Sequence, residues 1–380
     1  MQITFHRLLG LFSAVCVLFS GCRGQEPPPA LREPLLSVPA AAGAEELACL
    51  RFVQTELTDS RGGIFTNYLS GSPGGTLASG HEVLNESQGL MLRYYAMTAD
   101  TRQFSHTLTF IREAMDSGNI ISYRVREDGS RYPVNASVDD LRMMRGLMEG
   151  AEAFSDASYE TLCGQYAGRL YQTNVADGFL LDFYDESYEK VGQTSTLCFS
   201  DLKTMRLLGQ SDPRWLKVEA SMREILLNGY LGDSFPFFHT RYQTDSATYS
   251  SETIRMAEAL LTALHLSEAG ACPPLTLAWL SQKLESGPVY GEYSQDGHPV
   301  SRVESTAVYA LCALLGASEK DAKLLELAID RMKAFQISDA QSPLYGAFAN
   351  AETREAYSFD NLMALAALRA QAAATITGKG

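Results

Sequence analysis

Glu86, in the stretch HEVLNESQGLMLRYY, has the sequence surroundings that best suit acid chemistry. It stands where a loop gives way to an apolar run, and Leu90, Met91, Tyr94, Tyr95 and Met97 follow at helical spacing. A carboxyl fixed at the N-terminal end of a buried helix is a candidate proton donor at the mouth of a cleft. Acidic residues open five further apolar runs: Asp140 in VDDLRMMRGLMEGAE, Asp201 in FSDLKTMRLLG, Glu252 in SSETIRMAEALLTALHL, Glu304 in VESTAVYALCALLGA and Asp360 in SFDNLMALAALRAQAA. Capping and the helix dipole suffice to explain Asp201, Glu304 and Asp360. They fit Glu86 less well, because Glu is a poor N-cap and Asn85 beside it caps better.

These openings recur every roughly 50 to 60 residues, long enough for one helical hairpin per repeat. Between them lie amphipathic segments such as RQFSHTLTFIREAM, ASYETLCGQYAGRLYQTNV, DPRWLKVEASMREILLNGY, PPLTLAWLSQKLES and EKDAKLLELAIDRMKAFQ. Apolar helices alternating with one-faced helices are what a two-layer ring requires, since only its inner layer is covered on all sides. The expected fold is therefore all-α, an (α/α)6 toroid of six helical hairpins. In such a ring the inner N-termini point at one rim, so caps and reactive carboxylates share it. Loops such as SYRVREDGSRYPVNAS and FPFFHTRYQTDSATYS alternate aromatic and polar residues, which predicts short strands around a cleft.

The formal charge of -14 argues against nucleic acid, which is bound by clustered Lys and Arg. The start, MQITFHRLLGLFSAVCVLFSGC, carries His6 and Arg7, an apolar run from Leu8 to Phe19, and then Ser20, Gly21 and Cys22. That order reads as an export signal over residues 1–21, too short for an ordinary transmembrane helix. The LFSGC ending resembles a bacterial lipobox, which implies a lipid anchor at Cys22 on the outer face of a bacterial membrane; a conventional signal peptide or one short span are the alternatives. Residues 22–44 are rich in Pro and small residues, as a tether is, and residues 45–380 form the expected domain. The seven cysteines give no CxxC pair or disulfide framework, so buried free thiols are expected. The six His are scattered, and neither a metal site nor a cofactor is expected.

NESQGLMLRYYAMTADTRQF resembles the first signature of glycoside hydrolase family 8, with Glu86 at its general acid, then Gln88 and Gly89, and further on Ala99, Asp100 and Phe104. NASVDDLRMMRGLM is similar to the second, which places Asp140 at the carboxylate that contacts the central sugar. YSSETIRMAEAL is similar to the segment bearing the catalytic base, with Glu252 at the acidic position and Arg255 three residues on. The chain departs from the family at Ser87, where Gly is usual, at Val138, where an Asp is usual, and at Glu252, where Asp is typical. A looser resemblance is to the lipoprotein hydrolases of the same clan encoded with bacterial exopolysaccharide systems.

The resemblance implies an endo-acting, inverting hydrolase of a β-linked polysaccharide, working as a monomer. Glu86 would protonate the leaving oxygen while Glu252 activates water on the opposite sugar face, at a separation of roughly 6.5 to 9.5 Å. Asp140 would raise the acid's pKa by repulsion, with Asp201 and Asp139 as fallback bases. Sugar rings pack their CH faces on aromatic side chains, so Tyr132, Tyr184, Tyr249, Tyr290 and Tyr293 are candidate platforms unless they serve only to pack the loops. Gln88, Arg124 and Arg255 are candidate hydrogen-bonding partners. Two readings compete: a polysaccharide lyase on the same toroid, using a Tyr or His base, and a glycan-binding lipoprotein without turnover.

Overall fold

The computed structural model describes residues 35, 36, 40–71 and 78–377, so Cys22, the export signal and much of the tether lie outside the described residues. Six helices form an inner layer: α2 (Asn85–Met97), α4 (Ser137–Phe154), α6 (Leu202–Leu208), α8 (Met256–Glu268), α10 (Thr306–Ser318) and α12 (Ser358–Thr377). Between them run α1 (Ala44–Glu56), α3 (Thr101–Phe110), α5 (Ala157–Asn174), α7 (Arg214–Asn228), α9 (Pro274–Ser286) and α11 (Ala322–Lys333). Each inner helix packs on the next, and α12 packs on α2, which closes the ring. This is the (α/α)6 toroid that the repeat implies.

The two layers differ as their sequences require. In α10 every residue from Thr306 to Ala313 is buried, whereas α9 buries only Thr276, Leu280 and Leu284, one face at intervals of four. Several starts are capped by Asp: Asp100, Asp156, Asp201 and Asp321 each accept a backbone N–H from the first turn. Glu304 and Asp360 work locally too. Glu304 accepts from the Tyr309 hydroxyl, and Asp360 accepts from Ala307 N at 2.7 Å, capping the neighbouring helix α10 instead of its own.

The tightest seam in the ring joins α2 to α4. A Cβ on Gly89 would sit 3.0 Å from both Arg142 Cβ and Met143 N, and one on Gly146 would sit 2.8 Å from Leu92 Cβ. Each glycine thus lets the other helix's backbone approach where no larger residue fits. Away from the cavity a largely buried polar chain crosses four of the inner helices. Arg93 of α2 and Arg145 of α4 both hold Glu149 at 3.0 Å, and Arg145 also reaches Glu268 of α8 at 3.2 Å and Thr204 of α6 at 3.3 Å. At the closing seam, Ser87 Oγ meets Ser358 Oγ at 2.9 Å, and Tyr94 and Arg369 share Glu46 of α1.

The loops before the inner helices pair as short antiparallel strands, as the alternating sequence predicts. β1 (Val83–Leu84) pairs with β2 (Arg124–Val125), β3 (Val175–Ala176) with β4 (Phe179–Leu180), and β5 (Tyr184–Asp185) with β6 (Lys190–Val191). Two three-stranded ribbons follow: β7 (Thr194–Thr196), β8 (Arg241–Gln243) and β9 (Thr248–Ser250), then β10 (Ile254–Arg255), β11 (Glu292–Tyr293) and β12 (Pro299–Ser301). The described cysteines are free: Cys49, Cys163, Cys198 and Cys312 are buried and Cys272 is half-buried.

Substituting Gly89→Ala should therefore force α2 off α4 and destabilise the fold by about 1–3 kcal/mol, the usual cost of overpacking. Urea denaturation checks this, and an unchanged midpoint would mean that the contact does not constrain the ring.

Candidate active site

A cavity of about 650 Å³ opens at the N-terminal rim of the inner helices. It is lined by Glu86 of α2, by Val138, Asp139 and Arg142 of α4, by Cys198 and Phe199 of a 3-10 turn before α6, by Ala257, Glu258 and Leu261 of α8, and by Phe359 of α12. The loops add Tyr123, Val134, Asn135, Ala136, Asp182, Phe183, Thr196 and Arg241. Thr196 and Arg241 are paired across β7 and β8, so the ribbon carries one wall. Helices α4 and α8 present matching positions: the second, third and sixth residues of each, which gives Asp139 and Glu258 equivalent places.

Arg142 is the hub. Its Nη1 lies 2.8 Å from Asp139 Oδ1 and 3.4 Å from Glu86 Oε2. Glu86 keeps 26% of its side chain exposed, facing the cavity, while Asp139 and Arg142 keep 8% each. Burial raises the Glu86 pKa, and Arg142 opposes the rise without cancelling it. Asp139 is pushed up to about 7 by burial, with Arg142 opposing and Glu86 adding repulsion. Across the cavity, burial pushes Asp182 up to about 6, although its Oδ1 accepts from Thr196 N at 2.5 Å and its Oδ2 from Thr196 Oγ1 at 2.8 Å. The arrangement supplies a protonatable carboxyl, further carboxylates around it, and the aromatic faces of Tyr123, Phe183, Phe199 and Phe359.

Of the residues named from sequence, Glu86 and Asp139 meet in this cavity. Asp140 does not. It is buried one helix position away, where its oxygens accept from Asn85 Nδ2 at 3.3 Å and Asn135 Nδ2 at 2.8 Å, and burial holds its pKa well above the usual range. The carboxylate that repels it is Asp139 and not Glu86, and its bond aims Asn135, which does line the cavity. Glu252 is exposed in a bend ahead of β10 and outside the lining, because Ile254–Arg255 are held as a strand by β11 and α8 starts only at Met256. Asp201 is the buried cap of α6; burial alone would raise its pKa, but His265, Arg145 and Thr204 bring it down to about 2.

The remaining candidates serve the frame. The Gln88 amide is fully buried, and in the orientation that satisfies both its ends it donates to Gly62 O at 3.1 Å and accepts from Ile64 N at 2.7 Å, pinning that loop to α2. Arg124 is buried in a two-pronged pair with Glu82, and the half-buried Tyr132 ring lies under Arg124 and Arg126. Tyr184 is half-buried on β5, next to Phe183 but outside the lining. Tyr249 donates its hydroxyl to Ile225 O at 2.8 Å, and Tyr290 donates its N–H to the Tyr293 hydroxyl at 3.0 Å. Tyr293 is itself fully buried among Phe235 and Trp279. Arg255 is exposed, outside the lining, and pairs with Glu258 of the cavity wall at 3.6 Å. Arg142, Asp182, Arg241, Glu258 and the aromatic residues Tyr123, Phe183, Phe199 and Phe359 are among the lining residues that sequence reasoning missed. For Arg142 and Glu258 the signal was spacing, three residues after Asp139 and after Arg255.

No family model matches the chain. It is 27% identical over 293 residues, 75% of this chain and 78% of the other, to the "Putative lipoprotein YdaJ" of Bacillus subtilis (strain 168). Among solved structures it is similar to a novel alpha-amylase from Clostridium perfringens, with 29% identity, a TM-score of 0.82, and coverage of 88% of this chain and 99% of that one. It also shares its fold with an endoglucanase of Klebsiella pneumoniae, a family 8 glycosyl hydrolase, at 15% identity and a TM-score of 0.61, covering 85% of this chain and 99% of that one. The toroid is thus that of family 8, as the resemblance implies.

The shifted carboxyls fix the sign of a pH dependence. Asp139 and Asp182, raised from an ordinary 3.8, add stability that is complete below that value and is lost as pH rises through about 6 and about 7. Asp201, depressed to about 2, adds stability present above its ordinary value and lost only in strong acid. Urea midpoints should accordingly fall between pH 5 and pH 8, and Asp139→Asn should flatten that fall. An unaltered slope in the variant would show that Asp139 ionises freely in the folded chain.

Proposed function

We propose that this chain is a glycoside hydrolase acting on a polysaccharide, with Glu86 as the acid that protonates the leaving oxygen. The observation that carries this reading is a carboxyl whose pKa burial raises, facing a cavity that has further carboxylates around it and aromatic faces in its walls. The names of the similar proteins, an amylase and a family 8 endoglucanase, point the same way. Inverting, endo-type cleavage of a β-linked exopolysaccharide follows from the family 8 resemblance. The amylase is the more alike of the two in sequence and fold, and it favours α-glucan as the second substrate reading.

The experiment is a panel of cellulose-like, chitosan-like, exopolysaccharide and starch-like polymers incubated with residues 45–380, with reducing ends counted and products read by mass. Glu86→Gln should lose roughly 10²–10⁴-fold in rate, the usual worth of a general acid. Undiminished release by that variant would remove Glu86 from the chemistry. Unsaturated products absorbing in the ultraviolet would instead mark a lyase, and binding without turnover a glycan-binding lipoprotein.

The chain is also proposed to be exported and held at the outer face of a membrane by lipid on Cys22, with residues 22–44 as the tether. The lipobox-like LFSGC and the name of the Bacillus relative support this. No helix of the described residues is long and apolar enough to cross a membrane. Expressed in a bacterial host, the full chain should fractionate with membranes and Cys22→Ser should move it to the soluble exported fraction; equal membrane retention would rule out the anchor.

A further inference from the structure

If Glu86 is the acid, the structure also bears on which residue activates the water, and this step rests on the hydrolase reading. An inverting pair needs its carboxyls roughly 6.5–9.5 Å apart, so that a water fits beneath the sugar. Glu86 and Asp139 share one nitrogen of Arg142, at 3.4 and 2.8 Å. The two oxygens that meet it can be no farther apart than those distances laid end to end, just short of that range, and the same guanidinium already holds the Asp139 carboxylate. Asp182 has each oxygen engaged by Thr196, and Glu252 stands outside the cavity.

Glu258 escapes the constraints that bind these three. In the order α2, α4, α6, α8, α10, α12, helix α8 is three steps from α2 in either direction, so Glu258 and Glu86 are carried on opposite sides of the ring while lining one cavity. Glu258 occupies on α8 the place that Asp139 occupies on α4. The place of Arg142, however, is taken there by Leu261, so no buried guanidinium clamps the carboxylate. Among the described residues its carboxylate meets one cation, Arg255 at 3.6 Å, whose side chain is 70% exposed. Glu258 itself keeps 33% of its side chain accessible.

We propose that Glu258 is the general base. Its carboxylate removes a proton from water as the water oxygen bonds to the anomeric carbon. The bond from that carbon to the leaving oxygen breaks, and the leaving oxygen takes the proton of Glu86. One water is consumed, the anomeric configuration inverts, and the two carboxyls exchange protonation states, to be reset by solvent.

The test compares Glu258→Gln, Asp139→Asn, Asp182→Asn and Glu86→Gln with the unaltered domain, on the polymer it cleaves and on an aryl oligosaccharide of the same sugar whose leaving group needs no protonation. Glu258→Gln should lose about 100-fold or more on both substrates. Added azide should restore its turnover and yield a glycosyl azide, a readout that a misfolded variant cannot give. Glu86→Gln should keep its rate on the aryl substrate. Activity of Glu258→Gln within about threefold of the parent overturns the assignment alone, as does azide rescue confined to Asp139→Asn or Asp182→Asn. Retained configuration in the product, read by NMR, overturns it as well, because the closer Glu86 and Asp139 pair would then be the one at work. A parent domain that cleaves no glycan overturns the hydrolase reading and this assignment together.

Discussion

The contact on which the site depends is the close approach of α2 and α4. Gly89 and Gly146 let the two backbones come nearer than any side chain permits, and one turn from Gly89 the same approach sets Arg142 against Glu86. Burial favours the neutral form of both carboxyls, and Glu86 repels Asp139 when both are charged. A shared guanidinium makes their protonation interdependent, since a proton gained by one changes the field at the other. A steric allowance in the packing thus becomes an electrostatic property of the cavity.

The ring supplies what no single hairpin can. Residues as distant in sequence as Glu86, Asp182, Glu258 and Phe359 line one space because inner N-termini collect at one rim. That rim is also where helix dipoles favour negative charge, which offsets part of the cost of crowding carboxylates there. Away from the rim the chain from Arg93 through Glu149 and Arg145 to Glu268 joins helices of three repeats. Ions so buried add little net stability when paired, yet stranding one of them is costly, so the chain opposes any slip of one inner helix past the next.

The toroid was legible because apolar period and repeat length are local properties that survive in a single sequence. Glu86 was legible for the same reason. The errors have a common physical source, which is direction. Asp139 and Asp140 differ by about 100° around a helix, and the cavity takes the first while two asparagines take the second. Phe183 and Tyr184 point to opposite sides of an extended segment, and only Phe183 enters the lining. Ser250, Ser251 and Glu252 read as a helix start until Ile254 and Arg255 find their partner in β11, a pairing made across some forty residues that no local pattern announces.

The seam between Ser87 and Ser358 joins positions 271 residues apart. Contacts of that span form late, since the loop entropy must be met before they are rewarded. Phe359, next to the seam, is also part of the cavity wall. During synthesis, then, the earlier hairpins can stack while the cavity still lacks a side, and the ring acquires its full cavity wall only in the event that shuts it.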